Sequence, residues 1–221
     1  MCFSVEIIRD LKDLAKEFDA KIDRLAFERL NKFNKEDPKS YKIPGDDNRI
    51  FPGVYSPVII KKESRIIYPM RYRIRPADSD SEVPSKYNMY NARLDALEKR
   101  QTWKSLFAKN HGLVPFKRFF EWVKTPDGKK KLGVFSPLDK EYMWAPCLTE
   151  TWSDGKVKLN TFAIITGDPP EEVLKAGHDR CPIFLNHELI DDWLVPKGKS
   201  KKDLLELLTH QEPVKYSFSL V

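Results

Sequence analysis

Met1-Cys2-Phe3-Ser4-Val5-Glu6-Ile7 opens the chain, and its alternation decides how the rest is read. Phe3, Val5 and Ile7 alternate with Ser4 and Glu6, the period of two that a half-buried strand requires. A strand here sets Cys2 at the start of rigid structure. A cysteine directly behind the initiator also has a second meaning, because removal of Met1 leaves an α-amine and a thiol on one residue. The nitrogen of such a 1,2-aminothiol can attack an aldehyde to give a Schiff base, and the sulfur can then close on the same carbon as a thiazolidine. With a pKa of about 8, roughly a tenth of α-amines are neutral at pH 7, against fewer than about one in a thousand lysine amines. Cys2 is therefore a better imine-former than any lysine of the chain.

Working outward, 221 residues suit a single domain over residues 1–221 with a substantial core. Hydrophobic residues at 41% and aromatics at 12%, spread throughout, exclude a disordered chain. Cysteines stand only at positions 2, 147 and 181, and no apolar run approaches the length of a membrane span. These features predict a cytoplasmic monomer outside the membrane. A net charge of +6 is compatible with a nucleic-acid partner. No CxxC or HxxxH spacing supports a metal site, and no cofactor is expected.

Residues 10–33, with Asp10 as N-cap, carry apolar residues at three- and four-residue steps, which predicts one long or two abutting amphipathic helices. Residues 51–67 read as a hairpin or two short strands, and 66–74 as a further strand ending in Arg71-Tyr72-Arg73-Ile74-Arg75-Pro76. Strand alternation puts Arg71, Arg73 and Arg75 on one face. That face is either a charge-guarded edge or a phosphate-facing surface with Tyr72 as a stacking ring. Residues 78–85 read as a mobile acidic loop. Tyr90-Asn91-Ala92-Arg93 precedes a helical pattern, and extended backbone there points Asn91 and Arg93 to the same side. In Phe119-Phe120-Glu121-Trp122 a carboxylate sits among aromatic rings, a setting that raises its pKa and suits a general acid; the alternative is an outward Glu121 with Phe120 and Trp122 in the core. Gly177-His178-Asp179-Arg180-Cys181-Pro182 places His178 in a turn between a helix and a strand. The predicted fold is α+β, a mainly antiparallel sheet or open barrel with peripheral helices.

Taken in this order, the second-position cysteine, Tyr90-Asn91-Ala92-Arg93, Leu113-Val114-Pro115 with Phe119-Phe120-Glu121-Trp122, and the Gly177 to Pro182 motif resemble the SRAP family, the SOS-response-associated peptidases or abasic-site processing proteins. The resemblance covers essentially the whole chain. It implies recognition of abasic sites in single-stranded DNA and capture of the ring-opened deoxyribose aldehyde as a thiazolidine on Cys2, at a nucleoid or replication fork. It further implies that Asn91 orients the N-terminal amine, that Glu121 serves Met1 removal and proton transfer, that His178 is the acid/base of sugar opening, and that Arg93 contacts the DNA backbone. Arg71, Arg73, Arg75 and Arg118 are further candidate cations for the strand, with Tyr72 beside them. The chain departs from the family pattern where Phe3-Ser4 follows Cys2 in place of Gly-Arg, where Tyr72-Arg73-Ile74-Arg75-Pro76 stands for Trp-Gly-Leu-Ile-Pro, and where Arg118 replaces a glycine. Two other readings compete: a cysteine peptidase using Cys2 and His178, and a noncovalent single-stranded nucleic-acid binding module.

Overall fold

The structure, a computed structural model, describes residues 4–125 and 127–221; Met1, Cys2, Phe3 and Pro126 lie outside the described residues. The chain begins with β1 (Ser4–Ile7), α1 (Leu11–Glu17), β2 (Ala20–Ile22), α2 (Arg24–Glu36) and β3 (Arg49–Ile50). It continues through β4 (Tyr55–Lys61), β5 (Arg65–Tyr72), β6 (Asn91–Arg93), α3 (Gln101–Leu106), β7 (His111–Lys124), β8 (Lys130–Pro137) and β9 (Met143–Ser153). The last elements are β10 (Lys158–Gly167), α4 (Glu171–Lys175), β11 (Cys181–Pro182), α5 (Ile190–Leu194), α6 (Lys201–Leu207) and β12 (Tyr216–Leu220).

The sheet closes on itself. β4 pairs with β5 and with β7, β7 with β9, and β9 with β10, all antiparallel, while β10 returns to β5 in a parallel pair, giving a five-stranded barrel. A ring with an odd number of strands cannot alternate direction all the way round, so one pair must be parallel. Here that pair is β5 with β10, whose register sets Thr161 against Arg71 and Phe162 against Tyr72. Closure leaves the barrel no edges of its own, and β1, β3, β6, β8, β11 and β12 extend it at one end. Val58, Ile59, Ile67, Leu113, Phe162 and Ile164 are all fully buried, and since Val58 and Ile59 are successive strand residues, the barrel strands are covered on both faces. The main hydrophobic cluster runs from Val5 to Tyr216, and a smaller one gathers Leu30, Tyr55 and Leu159. At about 25 cal/mol per Å² of buried apolar surface, such a core supplies the main favourable term in folding.

The stretch at 10–33 differs from its expected form. Asp10 does cap α1, accepting from the amides of Lys12 and Asp13, but the helix ends at Glu17. Asp19 then takes φ 44, and Ala20–Ile22 pairs in parallel with residues 65–67 of β5 before Asp23 caps α2 through the Ala26 amide. Ile22 fits the helical apolar stripe four residues after Phe18, but together with Ala20 it equally fits a period of two. The left-handed residue and a second capping aspartate decide for the strand. No helix among the described residues is long and apolar enough to cross a membrane.

Candidate functional site

β7 is the element that positions the site. Its first half, residues 111–116, belongs to the barrel against β9, and its second half continues past the barrel to pair with β1 on one side and β8 on the other. Glu121 falls in that extension and faces inward at 2% exposure, whereas Trp122 faces out at 47%. The outward-glutamate alternative is thereby excluded. A buried carboxylate needs a partner, and His178 supplies one, with Nε2 3.1 Å from Glu121 Oε2.

The turn that carries His178 depends on the glycine before it. Gly177 has φ +92, and a Cβ there would come 3.2 Å from the Lys124 carbonyl of β7. Only glycine accepts that conformation without strain, and its bare backbone lets the turn lie against β7 beside Glu121. Arg180 holds the same turn from the other side, with a guanidinium nitrogen 3.2 Å from Asp168 and another 3.9 Å from Asp95. Neither Gly177 nor Arg180 was singled out from sequence, although both lie in the motif that contains His178. The signal for Gly177 was its place between a helix and a strand, where a positive φ is common.

His178 Nδ1 lies 2.8 Å from the Arg180 carbonyl oxygen and 3.2 Å from the Arg180 amide nitrogen. A protonated Nδ1 donates to the carbonyl, while a bare Nδ1 accepts from the amide. Both proton arrangements of the ring therefore find a backbone partner. With the proton on Nδ1, Nε2 can accept from a neutral Glu121 carboxyl; with Nδ1 bare, Nε2–H donates to the carboxylate. Acid/base chemistry asks for this kind of pair, able to exist with and without one shared proton.

Asn91 is 3% exposed on β6, and its Oδ1 accepts from the hydroxyl of Tyr72 at 2.9 Å. β6 lies parallel to β10, with Asn91 opposite Ile164 and Arg93 opposite Thr166. Arg93 is on the same side of β6 as Asn91 but out at the surface, where Asp95 engages it at two points, 3.0 and 2.7 Å. Cys2 lies outside the described residues.

The arginine row is arranged otherwise than the sequence suggested. Tyr72 is not an exposed stacking ring: it is fully buried, stacked on Phe162 at 5.0 Å, because it occupies the inward position between two outward arginines. Arg71, Arg73 and Arg75 do share a side, but residues 79–83 tie them down. Glu82 pairs with Arg71 at 2.6 Å and with Arg75 at 3.8 Å, and Arg73 donates to the Val83 carbonyl. Arg75 also packs 3.3 Å over the ring of Trp152, whose indole N–H donates to Ser79. Three like charges on one face need counter-charge, and the loop expected to be mobile provides it. Arg118 is paired with Glu6 across the β1–β7 ladder at 3.0 Å.

The full length of the chain, residues 1–221, matches the family model described as SOS response associated peptidase (SRAP). Over 124 residues it is 33% identical to the abasic site processing protein YoaM of Bacillus subtilis (strain 168), a match covering 55% of this chain and 54% of that protein. Over 138 residues it is 31% identical to the abasic site processing protein YobE of the same organism, covering 61% of each. The matches thus span little more than half the length of these curated relatives. A crystal structure of a protein from Bacteroides thetaiotaomicron superposes with a TM-score of 0.76 at 18% identity, covering 100% of this chain and 92% of that one. One from Bordetella bronchiseptica gives 0.74 at 17% identity, covering 100% and 99%. At such identities the likeness speaks for the fold, a barrel extended at one end by the strands that carry Glu121 and Asn91. With the family model matched from the first residue to the last, the chain belongs to the SRAP family.

Proposed function

We propose that this chain processes abasic sites in single-stranded DNA, and does so by covalent capture of the sugar aldehyde on Cys2. The observation that carries the reading is the Glu121–His178 pair at 3.1 Å, its buried carboxylate on β7 beside the start of β1. Ser4 lies opposite Phe120, one residue from Glu121. Two peptide units join Cys2 to Ser4, a reach of at most about 7 Å. In this reading the Cys2 aminothiol acts at this end of β7.

The residues then divide the work. An abasic deoxyribose is mostly a closed hemiacetal, and opening it requires removing the proton of the anomeric hydroxyl while giving one to the ring oxygen; His178 does both in turn. The α-amine of Cys2 adds to the exposed aldehyde to give a carbinolamine. Glu121 in its neutral form protonates the hydroxyl, which leaves as water, and the imine forms. The thiol adds to the imine carbon, its proton passes to nitrogen, and the thiazolidine closes with one water released overall. Asn91, held by Tyr72, orients the amine. Arg93 contacts a phosphate by exchanging it for Asp95, and the row of Arg71, Arg73 and Arg75, with Arg118, supplies further cations once their acidic partners are displaced.

Intact mass spectrometry with a single-stranded oligonucleotide bearing one abasic site tests the reading. Loss of Met1 and a stable protein–DNA adduct, absent from Cys2→Ala, are expected; retained Met1 or no adduct would overturn it. A peptidase acting through a thiol alone would not need the free amine, so acetylating the N-terminus separates the two mechanisms.

A further inference from the structure

The end of the barrel opposite Glu121 is also built as a site. β7 runs from His111 at this end to Glu121 at the other, ten residues or roughly 33 Å of extended chain. All five barrel strands reach a cavity of about 490 Å³ here. Lys61, Lys62, Lys109 and Lys158 line it, over neutral hydrogen-bonding groups that include Thr149 and Asn160. Lys61 is engaged by Asp191 at 3.3 Å, whereas no ion pair among the described residues holds Lys62, Lys109 or Lys158. One carboxylate, Glu150, is part of the wall; its Oε1 accepts from the Thr151 amide at 2.8 Å. Barrel mouths are favoured places for ligands, and this one is positive.

The cavity does not stop at the mouth. Tyr68, Lys158 and Asn160 also line a second cavity of about 540 Å³ between α2 and the β9–β10 hairpin. Phe33 and Tyr41 lie along it with ring centroids 4.9 Å apart, and Arg29 and Lys156 stand at its rim. Cations leading into a row of rings is the arrangement that holds single-stranded nucleic acid without reading its sequence, because every phosphate is an anion and every base has a flat face.

We propose that this trough is a second binding track for single-stranded DNA, remote from the lesion-processing end and contacting the strand by phosphate and by stacking. The proposal rests on the reading above only for the nature of the strand. Its test uses undamaged DNA, so that it stands apart from any chemistry. Anisotropy titrations across a salt series compare oligonucleotides of about 5 and about 30 nucleotides, below and above the span of a single-domain site. The full chain binds the long strand more tightly than its length alone explains. In K62E/K109E/K158E, and to a lesser degree in the neutral K62Q/K109Q/K158Q, long-strand affinity falls at least tenfold at moderate salt. The log–log salt slope becomes shallower by about 2 in the neutral variant, near 0.7 per lost lysine contact. Cys2→Ala, which removes the covalent step, keeps the length dependence. Long-strand affinity and salt slope in both triple variants equal to those of the parent would overturn the trough and leave the aldehyde chemistry untouched.

Discussion

Two histidines stand at opposite ends of the barrel, His111 buried and His178 half-buried, and the difference between them shows what suits one of them to acid/base work. His111, under the lysine-lined mouth, has Nδ1 2.6 Å from the Trp193 carbonyl and Nε2 2.7 Å from that of Phe107, and its ring stacks on Trp193 at 3.6 Å. Burial is the larger influence and pulls its pKa down to about 4, although the two carbonyls act the other way. No titratable side chain is in hydrogen-bond contact with it among the described residues, so it has no group to exchange a proton with. His178 faces a carboxylate with one nitrogen and an amide and a carbonyl of the same residue with the other. The first histidine faces carbonyl acceptors only, and its neutral ring donates to one of them at a time; the second is offered a partner for each protonation state.

The contrast can be broken most forcefully at the Glu121–His178 end. Glu121→Gln keeps shape and burial but removes the exchangeable proton, and His178→Ala removes its partner. Each is expected to slow crosslinking to an abasic oligonucleotide by about 10²–10⁴-fold, measured by single-turnover gel assay, with Tm little changed for the glutamine variant. Changing His111 to Gln or Phe is expected to leave crosslinking rates near those of the parent at neutral pH.

At the structural end the expected effect appears in acid. The folded-state pKa of His111 lies below its unfolded value of about 6.5, so the unfolded chain binds the extra proton. Its contribution to stability is complete above about pH 6.5 and is lost as pH falls through about 4. The loss approaches about 3 kcal/mol at 1.36 kcal/mol per unit. Denaturant melts between pH 7 and 4 check this, and His111→Phe should flatten that part of the profile.

Smaller effects sharpen the comparison. Gly177→Ala strains a left-handed turn against the Lys124 carbonyl and is expected to cost about 1–3 kcal/mol. It should also slow crosslinking, since the turn aims His178. Tyr72→Phe withdraws one donor from Asn91 Oδ1, at a cost of about 1 kcal/mol or somewhat more; thermal melts resolve both.

The strands were legible because their residues carry the pattern locally. The alternation of β1, the β-branched run of β10 and the capping Asp10 depend on neighbours in sequence, and the α+β class with peripheral helices follows from them. The site was legible as a set of residue types, and Glu121 and His178 do meet. Their meeting is a product of β7 continuing past the barrel and of Gly177 packing on it, neither of which periodicity encodes. What sequence could not disclose were partners distant in the chain. Tyr72 looked exposed because its neighbours are arginines, yet its inward position in β5 and Phe162 across the β5–β10 pair bury it. Arg71, Arg73 and Arg75 read as an open charged face because residues 78–85 looked like a mobile loop and Trp152 is remote in sequence, though Glu82 and Trp152 are both close in space. The break at Asp19 was hidden because Ile22 continues the helical series from Phe18 as well as alternating with Ala20.

The measurement that bears most directly on covalent capture is the intact mass of the protein before and after incubation with an abasic single strand. Covalent capture predicts a protein lacking Met1 that gains the mass of the oligonucleotide less one water, with no gain in Cys2→Ala and a slowed gain in Glu121→Gln. A protein that retains Met1, or that loses it and gains nothing, would contradict it.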